Sequence, residues 1–128
     1  MRMIFVNLPV ADLNASKAFF GELGFEFNLD FTDDDAACMM VDENIFVMLL
    51  REQRFKDFIN GEIADATRTT EAITALSVDS REQVDEMIAK AIAAGGKPWK
   101  PTMDEDGMYA GSFQDLDGHV WELLDMPH

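Results

Sequence analysis

One pattern of elements occurs twice in the sequence, and this repeat restricts the fold more than any other feature. Alternating apolar residues at Ile4–Val10 predict a strand, an amphipathic stretch after Asp12 predicts a helix, and three further strands follow. The same order begins again at Ile73–Val78, and aligning Val10 with Val78 gives an offset of 78 − 10 = 68 residues. A repeat of this length indicates two large modules and not a solenoid of short ones.

Each module is therefore predicted to have the order β-α-β-β-β, and the chain is predicted to be a single domain of the α+β class. The first module covers approximately residues 1–50, a connector covers 51–70, and the second module covers approximately 71–126. The strands expected after the two helices are Glu26–Phe31, Ala36–Val41 and Ile45–Leu50, then Lys97–Lys100, Met108–Gln114 and His119–Leu124.

The connector contains an amphipathic stretch, Arg51–Asn60, which predicts a short helix that ends before Gly61. Phe55 and Phe58 lie on its apolar side. They would either cap a pocket or anchor the connector to the core, and anchoring is the more common role of such residues.

Charge and composition exclude several classes of function. The net charge is −15, from 25 acidic and 10 basic residues, and such a surface would repel the phosphates of nucleic acid. This field would favour a cationic ligand, although solubility is the simpler explanation of the charge. No apolar run reaches the roughly 20 residues that span a bilayer, so no membrane partner is expected. The sequence runs from Met1 directly into a strand pattern without a recognisable leader, which favours a cytoplasmic location.

Three segments resemble the vicinal oxygen chelate superfamily, which includes glyoxalase I, bleomycin resistance proteins and extradiol dioxygenases. They are NLPVADL at residues 7–13 with its helix to residue 25, ALSVD at 75–79, and QDLDGHVWEL at 114–123. The third resembles the family ending D-P-D-G-[HN]-x-x-E-[LI], with Leu116 in place of the usual proline. The resemblance implies two βαβββ modules that form a curved eight-stranded mixed sheet around a cleft. It also implies that modules pair, often as a homodimer.

The resemblance further implies a divalent metal bound by His, Glu or Gln side chains on the first and last strands of each module. The corresponding positions in this sequence are Phe5, Met48, Ile73 and Glu122. Phenylalanine and isoleucine cannot coordinate such an ion, and a thioether is a poor ligand for it. We therefore expect no bound metal and no other cofactor.

The leading hypothesis is a metal-free protein that binds a small organic ligand in an apolar cleft. An alternative is a lyase or isomerase related to glyoxalase I, with Glu122 as general base or metal ligand. A third hypothesis is a dimeric scaffold whose own side chains fill the cavity. The predicted ligand-binding residues are Phe5, Asn7, Met48, Ile73, Ser77 and Glu122, of which Asn7, Ser77 and Glu122 would make the polar contacts.

The remaining residues with chemical potential receive simpler interpretations. Trp99, Tyr109 and Trp121 would line a pocket rim or a dimer interface. Cys38, the single cysteine, lies in an apolar strand and is interpreted as a small buried residue. His119 alternates out of phase with Glu122 and is expected to face away from the cleft.

Overall fold

The computed structural model describes residues 1–127, and the chain divides into two compact units between Ala64 and Asp65. This division falls inside the predicted connector. Residues 59–72 contain neither a helix nor a strand. Among the helices of residues 1–127, none is both long enough and apolar enough to cross a membrane.

The first unit contains a four-stranded mixed sheet. Its order is β1-β4-β3-β2, in which β1 pairs in parallel with β4 and the other pairs are antiparallel. Strand β1 lies at the edge of the sheet, a position that can accommodate Pro9, which has no N–H to donate. The elements are β1 (Ile4–Val10), α1 (Leu13–Glu22), β2 (Glu26–Phe27), β3 (Ala36–Asp42), β4 (Ile45–Arg51) and α2 (Glu52–Phe55).

The second unit contains a five-stranded mixed sheet with the same kind of pairing. Its order is β5-β9-β8-β6, with β7 also pairing with β8, and β5 runs parallel to β9. The elements are β5 (Ile73–Ser77), α3 (Arg81–Ala93), β6 (Lys97–Pro98), β7 (Met103–Glu105), β8 (Met108–Gln114) and β9 (Val120–Asp125).

Both long helices begin at N-cap side chains of the types that such positions favour, aspartate and serine. The carboxylate of Asp12 accepts a hydrogen bond from the backbone N–H of Ala15, at 3.0 Å. At α3, Ser80 Oγ accepts from the backbone N–H of Gln83 at 3.1 Å, and Gln83 Oε1 accepts from that of Asp79 at 2.8 Å. This reciprocal pair satisfies two backbone donors that the helix itself leaves without partners.

One face of each sheet is covered by a helix. In the first unit, Phe19 and Phe20 of α1 and the alternate β4 residues Val47 and Leu49 are all buried. In the second unit, α3 approaches β8 so closely that a Cβ atom placed on Gly111 would lie 2.2 Å from Ile88 Cδ1. The opposite face of each sheet is free of these helices and is called the open face below.

The two modules share one strand register, which supports the repeat. Asn7 pairs with Met48 in the first unit, and Ala75 pairs with Glu122 in the second. The first strands are thus offset by 75 − 7 = 68 residues and the last strands by 122 − 48 = 74. Met48 and Glu122 therefore occupy equivalent positions, as the sequence alignment assumed.

Three expectations about the elements were wrong. Residues 1–127 form nine strands in two sheets instead of eight, because Met103–Glu105 forms an additional strand, β7. Strand β2 ends at Phe27, because the side chain of Asn28 accepts from the N–H of Asp30 and starts a 3-10 turn. Phe58 does not anchor the connector: it is 64% exposed, with the guanidinium of Arg54 4.6 Å from its ring centre.

Candidate ligand-binding site

A cleft of about 160 Å³ lies on the open face of the second unit. A cavity of about 150 Å³ holds a benzene molecule, so this cleft has room for one aromatic ring. Four strands, β5, β7, β8 and β9, and the segment between β6 and β7 form its walls. The lining residues are Ile73, Trp99, Lys100, Pro101, Met103, Ala110, Gly111, Ser112, Val120 and Glu122.

The segment from Trp99 to Met103 forms one wall of the cleft and is attached to the sheet by a hydrogen bond. The backbone N–H of Lys100 donates to Ser112 Oγ at 3.1 Å, and Ser112 itself is buried. Pro98 and Pro101 restrict the backbone on either side of this contact. Trp99 therefore stands at the mouth of the cleft, where it is 37% exposed.

Glu122 brings the single carboxylate to the lining of the cleft. On the neighbouring strands it lies between Ala75 and Ser112, and it is partly buried. The side chain of Glu122 forms no hydrogen bond or ion pair with any residue in the part of the chain that the structure describes, and this includes Lys100. Its carboxylate is thus available to a ligand.

A buried hydrogen-bond network around Asp115 fixes the start of β9, the strand that carries this carboxylate. Asp115 Oδ1 accepts from the backbone N–H groups of Asp117 and His119, at 2.9 and 3.0 Å. Asp115 Oδ2 accepts from Trp121 Nε1 at 2.9 Å. Burial raises the pKa of the Asp115 carboxyl, while the charge of His119 and these hydrogen bonds oppose the rise.

Two of the six predicted site residues, Ile73 and Glu122, come together in this cleft. Ser77 is exposed on the same face of β5 as Ile73 but is not part of the lining. Phe5, Asn7 and Met48 lie in the first unit. That all six residues contact one ligand stays a prediction.

The three first-unit residues share the open face of their own sheet. The rings of Phe5 and Phe46 stack with centres 4.9 Å apart and planes 12° apart. Asn7 Nδ2 donates to the carbonyl oxygen of Phe5 at 3.1 Å, and Met48 is the strand partner of Asn7. Phe5, Phe46 and Met48 thus make this part of the face apolar, and the Asn7 amide uses one of its N–H donors for the Phe5 carbonyl.

The sequence interpretation missed most of the cleft wall and was wrong about one aromatic residue. Trp99 lines the cleft as proposed, but Trp121 is 1% exposed and belongs to the core. Tyr109 donates its hydroxyl hydrogen to Asp85 at 2.8 Å.

Cys38 is buried, as expected, and burial raises the pKa of its thiol. No sequence pattern marked Ala110 and Ser112 as site residues, because only the pairing of β8 with β9 brings them beside Glu122.

The donor set at the four family metal positions does not fit a divalent ion. Phe5 and Ile73 offer no lone pair, and Met48 offers a thioether, which leaves the carboxylate of Glu122. Within residues 1–127, no three His, Cys, Asp or Glu side chains are grouped so that they could hold a metal.

We expect that titration with Ni²⁺, Zn²⁺, Mn²⁺ or Fe²⁺ will show no tight stoichiometric binding, because one carboxylate and water hold such ions weakly. Elemental analysis of untagged protein and calorimetric titration would measure this. One tightly bound ion per chain would show that the four-position assignment is wrong, and its loss in Glu122→Gln would identify Glu122 as one of the ligands.

Comparison with known proteins agrees with this architecture. Residues 2–42 match the family model for the bleomycin resistance protein-like N-terminal region. None of the curated proteins matches the sequence. A hypothetical protein from S. aureus is 27% identical, with a TM-score of 0.83 over 98% of this chain and 94% of its own.

Two further solved structures are similar in fold. A glyoxalase-related enzyme from Fulvimarina pelagi is 22% identical, with a TM-score of 0.83 over 99% of this chain and 89% of its own. The fosfomycin resistance protein FosX from Listeria monocytogenes, complexed with Mn(II) and sulfate, is 19% identical, with a TM-score of 0.71 over 98% of this chain and 90% of its own. The chain thus has the glyoxalase/bleomycin resistance/dioxygenase fold, and its resemblance to the vicinal oxygen chelate superfamily is confirmed.

Proposed function

We propose that this protein binds a small organic molecule in the cleft of its second module, without a metal. The observation that carries the proposal is the cleft itself: an apolar lining with one partly buried carboxylate that has no partner among the described residues. Ligand sites typically combine apolar walls with a few polar groups that fix the orientation of the ligand.

The proposed contacts divide into two kinds. Ile73, Trp99 and Val120 would contact the apolar part of the ligand, while Glu122 would contact its polar group. Ser112 Oγ already accepts from the Lys100 N–H, and its own O–H remains a donor that a ligand could use. The proposal also keeps a homodimer, since β1 and β5 each lie at the edge of their sheet.

Filling the cleft tests the proposal. Benzyl alcohol added to the native protein is expected to shift the amide NMR signals of β8 and β9, because one ring fits the cleft. Ala110→Leu places three more carbon atoms in the lining and is expected to weaken this binding by at least about tenfold.

Ala89→Leu is the matched control, because Ala89 is exposed on α3, outside the lining. It is expected to leave the titration unchanged. Equal binding by Ala110→Leu and the native protein would show that the probe binds elsewhere, and the proposed site would then be wrong.

A lyase or isomerase is the second candidate, favoured by the same carboxylate. A general base must be free to take a proton, and Glu122 is not occupied by any described residue. Once a substrate is known, this candidate requires that Glu122→Gln lowers turnover by about a hundredfold or more with the fold intact.

A further inference from the structure

We propose that the ligand of this cleft is an organic cation: a primary amine or amidinium carried by a single ring, with Glu122 as its counter-charge. This inference rests on the proposed function and specifies the class of ligand. It gives the carboxylate at the fourth family position a partner that needs no further ligands from the chain.

A ligand that enters the cleft changes the surroundings of the Glu122 carboxylate. A molecule that fills the cleft removes water from a carboxylate that has no other partner among residues 1–127. Covering a charge without a compensating partner is costly, and an anionic group would add repulsion. A cationic group with N–H donors replaces the lost water with charge-assisted hydrogen bonds.

The other charged residue of the lining does not change this requirement. Lys100 forms no ion pair with Glu122, and its backbone N–H is already bound to Ser112 Oγ. Its side chain is exposed, so its ammonium group can remain in water. The carboxylate therefore keeps its need for a positive partner.

The walls of the cleft suit the rest of such a ligand. The indole of Trp99 can attract a cation through its ring face, and Met103 can contact an aromatic ring with its sulfur. The volume of about 160 Å³ limits the enclosed part to one ring. The net charge of −15 raises the local concentration of cations and opposes the approach of anions.

Three probes of nearly equal size separate charge from shape: benzylamine, benzyl alcohol and benzoate. Each is titrated into the native protein at pH 7 and 0.15 M salt, and the amide signals of Gly111, Ser112 and Glu122 are followed by NMR. We expect benzylamine to bind about tenfold more tightly than benzyl alcohol, and benzoate to bind more weakly than both. This comparison needs no variant.

Two matched variants then locate the effect. Glu122→Gln is expected to reduce benzylamine binding to the level of benzyl alcohol. Glu105→Gln removes the same charge from an exposed position on β7, outside the lining, and is expected to leave the tenfold preference in place.

The outcomes distinguish this inference from the proposed function. Equal binding of benzylamine and benzyl alcohol would show that the ligand need not be a cation, while the cleft would remain the proposed binding site. An equal loss in Glu105→Gln and Glu122→Gln would also overturn it, since net charge would then explain the preference. If no probe shifts the cleft amides, the inference and the proposed function both fall.

Discussion

Asp115→Ala is expected to lower the free energy of unfolding by about 3–5 kcal/mol. Asp115 is 5% exposed, and its carboxyl group accepts hydrogen bonds from two backbone N–H groups and the indole of Trp121. Alanine would leave all three donors without their partner in a site shielded from water. Urea unfolding followed by circular dichroism would measure the loss.

Asp34→Ala serves as the control for this change. It removes the same carboxylate from an exposed loop position and is expected to change stability by less than about 0.5 kcal/mol. Similar losses in the two variants would show that the Asp115 network does not stabilise the second unit.

The pKa of the Asp115 carboxyl group also predicts how the stability difference between the native protein and Asp115→Ala depends on pH. Burial raises its pKa above the ordinary value of 3.8, so the folded state holds the proton at pH values where the unfolded state has released it. Its contribution to stability is therefore fully present below 3.8 and falls as pH rises toward the raised pKa. Above the isoelectric point of about 4.2, the deficit of Asp115→Ala relative to the native protein is expected to shrink with rising pH. A deficit that grows as the pH rises above 3.8 would contradict the raised pKa.

Gly111→Ala is expected to cost about 1–3 kcal/mol, because the new methyl group overlaps the helix that covers the sheet. Its Cβ would lie 2.2 Å from Ile88 Cδ1 and 3.0 Å from Val84 Cγ1. Ile88→Val removes the Cδ1 atom, so adding it to Gly111→Ala should recover part of the loss. A double-mutant cycle in urea would measure this coupling.

Gly21→Ala is the control for this substitution, and it should have the opposite sign. Gly21 lies in α1, and a Cβ there would meet no atom within 4 Å. Alanine is therefore expected to stabilise the helix by about 0.5–1 kcal/mol. Additive losses for Gly111→Ala and Ile88→Val would mean that the close approach of α3 is not what requires glycine.

Much of the fold could be predicted because residues close together in the sequence determine where these strands and helices begin and end. The alternation of Ile4–Val10 gave β1 its observed bounds, and the Ser80 and Gln83 side chains marked the start of α3. Strand β7 was missed because Asp104 and Glu105 are exposed acidic residues typical of a turn, and only pairing with β8 makes them a strand.

The candidate site was less accessible to sequence reasoning. The resemblance to the family located Ile73 and Glu122, and the strand pairing shows Met48 and Glu122 at equivalent positions of the two modules. The wall from Trp99 to Met103 depends on a hydrogen bond between Lys100 and Ser112, twelve residues apart, and no local pattern specifies it. Trp121 was expected at a pocket rim or a dimer interface, but it lies in the core, where Asp115 supplies the acceptor for its indole N–H.

The shared strand register has a consequence for how such a chain can change. Asn7 and Met48 pair in one unit just as Ala75 and Glu122 pair in the other, although the four side chains have little chemistry in common. The backbone holds these positions whichever side chain stands on the open face. A point substitution at one of these four positions therefore changes the chemistry of the open face while the pairing of the strands beneath it is kept.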